Sequence, residues 1–214
     1  MKKGCILCLL ISVISLPLIA QNIIYSNLKE LLAQHGDTTA VLRVEKRSRN
    51  QIVLTGGADY RITAGDDESM CRRLKKRCFA VRDEKGDLYL NCRKLRYKKL
   101  RFGAWYAPAV QLGKNIYFCA MPLGSVIGGN FVEEDDVKLG GNIGDALAAS
   151  SLVTKRVCYE LNGETGKVDF LGKDKMLQLL ENYPELKQAY LKDDSQEAKH
   201  TFKYLLELRN NQKK

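Results

Sequence analysis

The chain has 214 residues, 45% of them apolar, with 35 Lys/Arg against 25 Asp/Glu and a formal net charge of +10 at pH 7. It carries no low-complexity tract and no repeat, which excludes a disordered or solenoid chain. The length supports one real core or two small domains, and no disulfide scaffold is needed to stabilise it.

Residues 1–20 read as a secretory signal peptide. Lys2 and Lys3 give a basic start, an uncharged apolar run follows from Cys5 to Ile19, and Ala20 is a small residue before Gln21. The run of 15 residues is short of the roughly 20 that a spanning helix needs. Cys5 and Cys8 lie at or near the start of the run and Gln21 follows Ala20, which argues against a lipoprotein. No later stretch is apolar enough to span a bilayer. The expected location is the periplasm, the outer-membrane periphery or the extracellular space.

Residues 27–34 (NLKELLAQ) read as a short helix closed by Gly36. Residues 40–46 and 51–54 alternate apolar and polar and read as paired strands around a turn at 47–50, with 60–63 resuming the pattern after Gly56-Gly57. Residues 66–78 read as a helix with Asp66 or Asp67 as cap, acidic in its first turn and basic towards its end, as the helix dipole favours. Residues 79–82 and 88–91 flank a hairpin turn at 83–87. The alternation then breaks phase twice before 102, which calls for two bulges or for a bend and a new strand. A second hairpin spans 104–112 and 115–121. Residues 123–144 are glycine-rich and enclose the acidic run 133–136, so they read as a loop or linker. Residues 146–152 fit a short helix, 156–161 and 167–171 a third hairpin, and the tail three helices. The first of these covers 173–181, the second starts at Pro184, and Ser195 caps the last.

The organisation expected is therefore a signal peptide (1–20), a basic β-rich region with one helix near 66–78 (21–122), the glycine-rich segment (123–144), and a hairpin with C-terminal helices packed as one domain with the first region (145–214). The fold class is α+β: a mainly antiparallel sheet over about 40–171 followed by a tail of short helices. The competing arrangement is two small domains joined through 123–144.

The charge is concentrated. Residues 72–101 hold 13 Lys/Arg against Asp83, Glu84 and Asp87, a net of +10, which is the whole basic character of the chain. Within it, Arg93, Lys94, Arg96, Lys98, Lys99 and Arg101 form a candidate anion-binding set. Tyr97, Trp105 and Tyr106 are candidates for an aromatic surface beside them. Such a surface suits a phosphorylated lipid headgroup or an acidic polysaccharide. Nucleic acid fits poorly with an exported chain.

Motifs for catalysis are missing. There is no GxSxG nucleophile elbow, no spaced calcium loop around Glu133 to Asp136, no phosphate loop in the glycine set at 140–144, and only His35 and His200 to support a Cys–His dyad. A hydrolase of envelope polymers using carboxylates distant in the chain remains an alternative, as does a structural protein docking by its C-terminal helices. No cofactor is expected, and the oligomeric state is open. Five cysteines follow residue 20: Cys71, Cys78, Cys92, Cys119 and Cys158. Export permits disulfides, the odd number leaves at least one thiol over, and no spacing suits zinc. Cys71 and Cys78, roughly 10 Å apart along a helix, are beyond the ~7 Å reach of a bridge.

Three stretches carry a resemblance: 40–47 (AVLRVEKR), 101–108 (RFGAWYAP) and 182–190 (NYPELKQAY). With the leader ending at Ala20-Gln21, the chain resembles a family of small exported proteins of unknown function from Bacteroides-like bacteria. The resemblance covers nearly all of the chain after the leader. It implies an envelope or secreted location and no cofactor, and it carries over no catalytic residue.

Intact mass of the protein from its native host tests the leader directly. The expected mass begins at Gln21; a mass beginning at Met1 would overturn the signal-peptide reading.

Overall fold

A computed structural model describes residues 21–39, 41–123, 155–193 and 197–212. The leader, almost all of the glycine-rich stretch with its acidic run, the helix expected at 146–152 and the Ser195 cap lie outside these residues.

The sheet starts earlier than expected. Strand β1 (Asn22–Tyr25) is followed by helix α1 (Leu28–Leu32), and β2 (Asp37–Thr39) returns to pair with β1. Its sequence NIIY has no alternation because both faces of the strand meet cover, and only half-exposed strands alternate. Asn27 caps α1: its Oδ1 accepts from the Glu30 amide at 2.9 Å, while Glu30 Oε2 accepts from the Ser26 amide at 2.7 Å.

Strand β3 (Arg43–Lys46) pairs with β4 (Tyr60–Thr63) over four rungs. The strand expected at 51–54 is instead part of helix α2 (Arg49–Thr55). Ser48 and Gln51 form a reciprocal capping box, with the Ser48 amide donating to Gln51 Oε1 at 2.8 Å and the Gln51 amide to Ser48 Oγ at 3.3 Å. This S-x-x-Q signal overrides the β-branched run Ile52-Val53.

Helix α3 (Glu68–Lys76), capped by Asp67, leads to the hairpin of β5 (Ala80–Arg82) and β6 (Leu88–Asn91). The broken alternation after β6 resolves as a bend, a 3₁₀ turn at Cys92–Lys94, then short strands β7 (Arg96–Tyr97) and β8 (Leu100–Arg101). Strands β9 (Tyr106–Leu112) and β10 (Asn115–Ala120) form the second hairpin, and β11 (Val157–Leu161) and β12 (Val168–Phe170) the third. The tail contains α4 (Lys173–Leu179), α5 (Pro184–Lys192) and α6 (Ala198–Gln212). The architecture is α+β, as the sequence implies.

All twelve strands among the described residues join one sheet in the order β2-β1-β5-β6-β9-β10-β11-β12-β7-β8, with β3 and β4 branching from β9. Every pairing is antiparallel except the single rung between β12 and β7, Val168 with Tyr97. β10 pairs with β11 over five residues, so the segments before and after the glycine-rich stretch share this sheet.

Both faces are buried. One bears Tyr25, Leu88, Leu90, Ala107, Ile116, Phe118, Tyr159 and Leu161. The other is split: α3 and β4 cover β1, β5 and β6 through Leu74 and Ile62, and the tail helices cover β9 to β11 through Met176, Leu180, Tyr204 and Leu205.

Asn91 fastens α3 to this sheet. Its buried amide donates to the carbonyls of Leu74 (3.1 Å), in the last turn of the helix, and Cys78 (2.9 Å), just beyond its end, and its Oδ1 accepts from the Arg93 amide. The Tyr106 hydroxyl adds a second donor to the Leu74 carbonyl at 2.8 Å. Asn91→Ala is expected to cost about 2 kcal/mol through unpaired buried groups, a fall of roughly 4–8 °C in thermal midpoint for a domain of this size. A midpoint unchanged by this substitution would remove Asn91 as the fastener.

Candidate functional site

The basic segment lies on a crossover. β6 is in the middle of the strand order, while β7 lies beyond β9, β10, β11 and β12, with β8 as the edge strand next to it. The chain from 92 to 105 therefore crosses the face of those four strands. To pass over an apolar face it must bury part of itself, and Cys92, Leu95, Tyr97 and Phe102 are all buried there. Phe102 meets Tyr159 edge-on at 4.8 Å and Phe118 at 5.3 Å between ring centroids, and Tyr97 meets Tyr159 at 5.6 Å. The residues between these anchors face outward: Arg93, Lys94, Arg96, Lys98, Lys99 and Arg101 are all exposed. The six cations thus ride on a hairpin laid across the sheet rather than on a sheet face of their own.

Two of the proposed surface aromatics are corrected. Tyr97 is 3% and Tyr106 2% exposed, and both belong to the core. Tyr97 occupies the inward phase of the crossover, and Tyr106 faces α3, where its hydroxyl is engaged. Trp105 alone of the three reaches solvent, being half-buried.

The electrostatics of the crossover are unbalanced. Arg96 and Arg101 are cross-strand partners in the β7–β8 ladder, and like charges placed opposite each other repel. Among the described residues, Arg93, Lys94, Arg96, Lys99 and Arg101 have no carboxylate partner. Lys98, in the turn with φ of 52°, places Nζ 5.8 Å from the Tyr97 ring centroid. Leu100, 44% exposed, stands at the same tip. Asn91 brings in further charge, because its hydrogen bonds join the end of α3, which carries Lys75, Lys76 and Arg77, to the first turn of the crossover.

A second feature, which sequence reasoning missed, is a cleft of about 250 Å³ lined by Glu45, Lys46, Arg47, Gln51, Thr55, Arg61 and Trp105. Arg47, placed by the sequence reading in a polar turn at 47–50, is buried. Its guanidinium donates to the carbonyls of Gly56 (2.8 Å), Ala58 (2.7 Å) and Gln51 (2.9 Å) and to the Thr55 hydroxyl, closing the end of α2. Burial lowers its pKa from the ordinary guanidinium value, while Asp59 pulls it back up. Arg47 and Arg61 lie 5.2 and 5.7 Å from the Trp105 ring centroid, within cation–π range. The available signal was the capping box directly after Arg47, which turns 47–50 from a hairpin turn into a helix start.

Trp105 has φ of 76°, a conformation bulky residues rarely adopt. A glycine contact holds it there: the Ala58 amide donates to the Ala104 carbonyl at 2.9 Å, and a Cβ at Gly57 would lie 2.4 Å from that carbonyl oxygen. The Trp105 carbonyl accepts from the Cys92 amide at 2.9 Å, linking the cleft to the start of the crossover.

Other ionisable groups are engaged in pairs. Arg156 Nε bridges both Asp59 oxygens at 2.9 and 3.0 Å. Glu160 and Asp169 face each other across β11–β12 but share the Lys175 ammonium at 3.0 and 3.1 Å, and Glu160 also accepts from Asn115 and Tyr117. Asp193, hydrogen-bonded to His200 at 2.9 Å, has its pKa held below the usual carboxylate value by that contact. Among the described residues no three His, Cys, Asp or Glu side chains converge as a metal site requires, and no helix is long and apolar enough to cross a membrane.

Fold and site together define an α+β protein whose most distinctive surface is a crossover rich in exposed cations. Residues 23–212 match a family of unknown function, DUF6563, and the chain belongs to that family. No curated protein and no solved structure matches the chain.

The glycine contact yields a paired test. Gly56 (φ 62°) and Gly57 (φ 83°) both occupy the left-handed region, but a Cβ at Gly56 meets nothing within 4 Å. Gly56→Ala is expected to cost about 1 kcal/mol and Gly57→Ala about 3 kcal/mol or more. Trp105 is the only tryptophan in the chain, so its emission should shift to the red in the Gly57 variant alone. Equal effects at both positions would contradict the close approach.

Proposed function

We propose that this is an exported, non-catalytic envelope protein that docks an anionic surface through the crossover, with Arg93, Lys94, Arg96, Lys98, Lys99 and Arg101 as its contacts. The observation that carries the reading is the Arg96–Arg101 pair: two exposed arginines opposed across one ladder rung, with no carboxylate partner for either among the described residues. A phosphate between two such groups removes their repulsion and accepts paired hydrogen bonds from each. The reading takes residues 1–20 as an export signal and an envelope of Bacteroides-like type as the setting.

Among anionic partners, phosphorylated lipid headgroups are favoured by Leu100. An exposed leucine at the tip of a cationic hairpin suits the boundary between headgroups and acyl chains. An acidic polysaccharide would use the charges but leave Leu100 idle. The hydrolase alternative is supported less well, since Glu160 and Asp169 share a lysine and neither lines the cleft. Docking by the tail helices is also weaker, because their apolar residues are spent on the sheet.

Co-flotation with lipid vesicles tests the proposal. Binding is expected to anionic and not to zwitterionic vesicles, weakening steeply between about 0.05 M and 0.5 M salt. The quadruple variant R93S/R96S/K98S/R101S should bind roughly a thousandfold more weakly, at about 1 kcal/mol per cation. L100S should lose about tenfold while keeping the salt dependence. Binding to acidic polysaccharide that is indifferent to L100S would redirect the reading to that partner. Unchanged vesicle binding by the quadruple variant would sink it.

A further inference from the structure

The cysteines divide by position in the fold. Cys71 and Cys78 belong with α3, on one half of the split face: Cys71 Sγ contacts the Gly65 carbonyl, and Cys78 Sγ donates to the carbonyls of Ala80 (3.1 Å) and Tyr25 (3.6 Å). Cys92 is on the opposite face of the sheet, beneath the crossover. Cys119 and Cys158 share the remaining half, under the tail helices. They are direct partners in the β10–β11 ladder, and both thiols donate to the same acceptor, the Ala198 carbonyl at the start of α6, at 3.7 and 3.5 Å.

Directly opposed residues in an antiparallel ladder have Cα atoms about 4.5 or 5.5 Å apart, depending on the rung. Both values fall within the roughly 4.4–6.8 Å window of disulfides. The Cα spacing of such a rung therefore suits a cross-link made by rotating the two side chains about their Cα–Cβ bonds.

We propose that Cys119 and Cys158 are joined as a cross-strand disulfide when the chain folds in an oxidising compartment, leaving Cys71, Cys78 and Cys92 as thiols. The oxidant is a disulfide, either a small molecule such as oxidised glutathione or a protein disulfide carrier. One cysteine thiolate attacks it, forming a mixed disulfide and releasing one donor thiolate. The second cysteine, after losing its proton, attacks the first cysteine's sulfur and expels the other donor thiolate. Two protein thiols are oxidised, and the donor disulfide is reduced to two thiols. Burial raises the Cys119 thiol well above its ordinary pKa, and α6 covers the pair. The bond therefore forms readily before α6 docks and slowly in the folded, reduced protein.

Refolding the reduced, denatured chain in a buffer of oxidised and reduced glutathione tests this, with free thiols then alkylated and the protein digested without reduction. The expected product is one linked peptide pair carrying Cys119 and Cys158, with Cys71, Cys78 and Cys92 alkylated. The thermal midpoint of the oxidised protein should fall by roughly 5–10 °C in dithiothreitol, whereas C119A/C158A should melt at one temperature with or without the reductant. Alkylation of both Cys119 and Cys158, a link involving any other pair, or identical midpoints for oxidised and reduced wild-type protein would overturn the assignment. Vesicle binding does not enter this test, so its outcome is independent of the anionic-surface reading.

Discussion

The structure depends on one constraint: the chain must travel from β6 to the far edge of the sheet across an apolar face. A polar segment could not make that journey without leaving Phe118, Tyr159 and Leu161 facing water. The crossover meets the demand by inserting Leu95, Tyr97 and Phe102, with Tyr159 as the common neighbour of the two aromatic rings. The Tyr159 hydroxyl is itself engaged, donating to the Met121 carbonyl at 3.1 Å and accepting from the Leu123 amide at 3.0 Å. The lone parallel rung in the sheet follows from the same route, because the crossover reaches β12 running in the same direction.

The same anchoring explains how so much like charge is kept together. Opposed like charges on a ladder cost on the order of 0.2–1 kcal/mol. Burying a large apolar side chain contributes about 1.5–3 kcal/mol, and Tyr97 and Phe102 each supply one, with edge-on ring contacts besides. The anchors outweigh the repulsion severalfold, so the hairpin is held in a shape its surface charges oppose. A local conflict maintained by global packing is the kind of departure from consistency that marks functional surfaces.

The legible parts of the fold were those whose signals are local. The hairpins at 79–91, 104–121 and 156–171 show their turns in glycine and Asx residues, and α3 shows its cap and charge gradient. What was misread depended on competing or distant signals. Ile52-Val53 look like strand until the Ser48–Gln51 box is given priority, and with α2 misplaced the burial of Arg47 could not be foreseen. β1 lacks alternation because α3 and β4 cover one of its faces while α1 and the first core cover the other. The six cations of the crossover were visible as charge, but the inward phase of Tyr97 is set by a route over the sheet that no local pattern encodes. Tyr106 was misassigned for a related reason: its outward-seeming position on β9 is covered by α3, a contact between elements distant in sequence.

Coverage also limits where partners can dock. One sheet face is closed by α1 and the crossover, the other by α3, the β3–β4 branch and the tail helices, so no strand among β5, β6, β9, β10 and β11 presents a bare face. The tail helices turn Met176, Leu180, Tyr204, Leu205 and Leu208 inward, leaving Leu191 as their exposed large apolar residue among those described. Apart from Leu191 and Val41, the exposed large apolar side chains among the described residues lie beside the two features already singled out, with Val53 and Leu54 on α2 near the tryptophan cleft and Leu100 at the tip of the crossover. The cleft is tied to the crossover through the Trp105 carbonyl and the Cys92 amide. The backbone of residues 104–105 is thus held on both sides, by the Cys92 amide at the crossover and by the Ala58 amide and the close approach of Gly57 at the cleft, so the two features share one anchor.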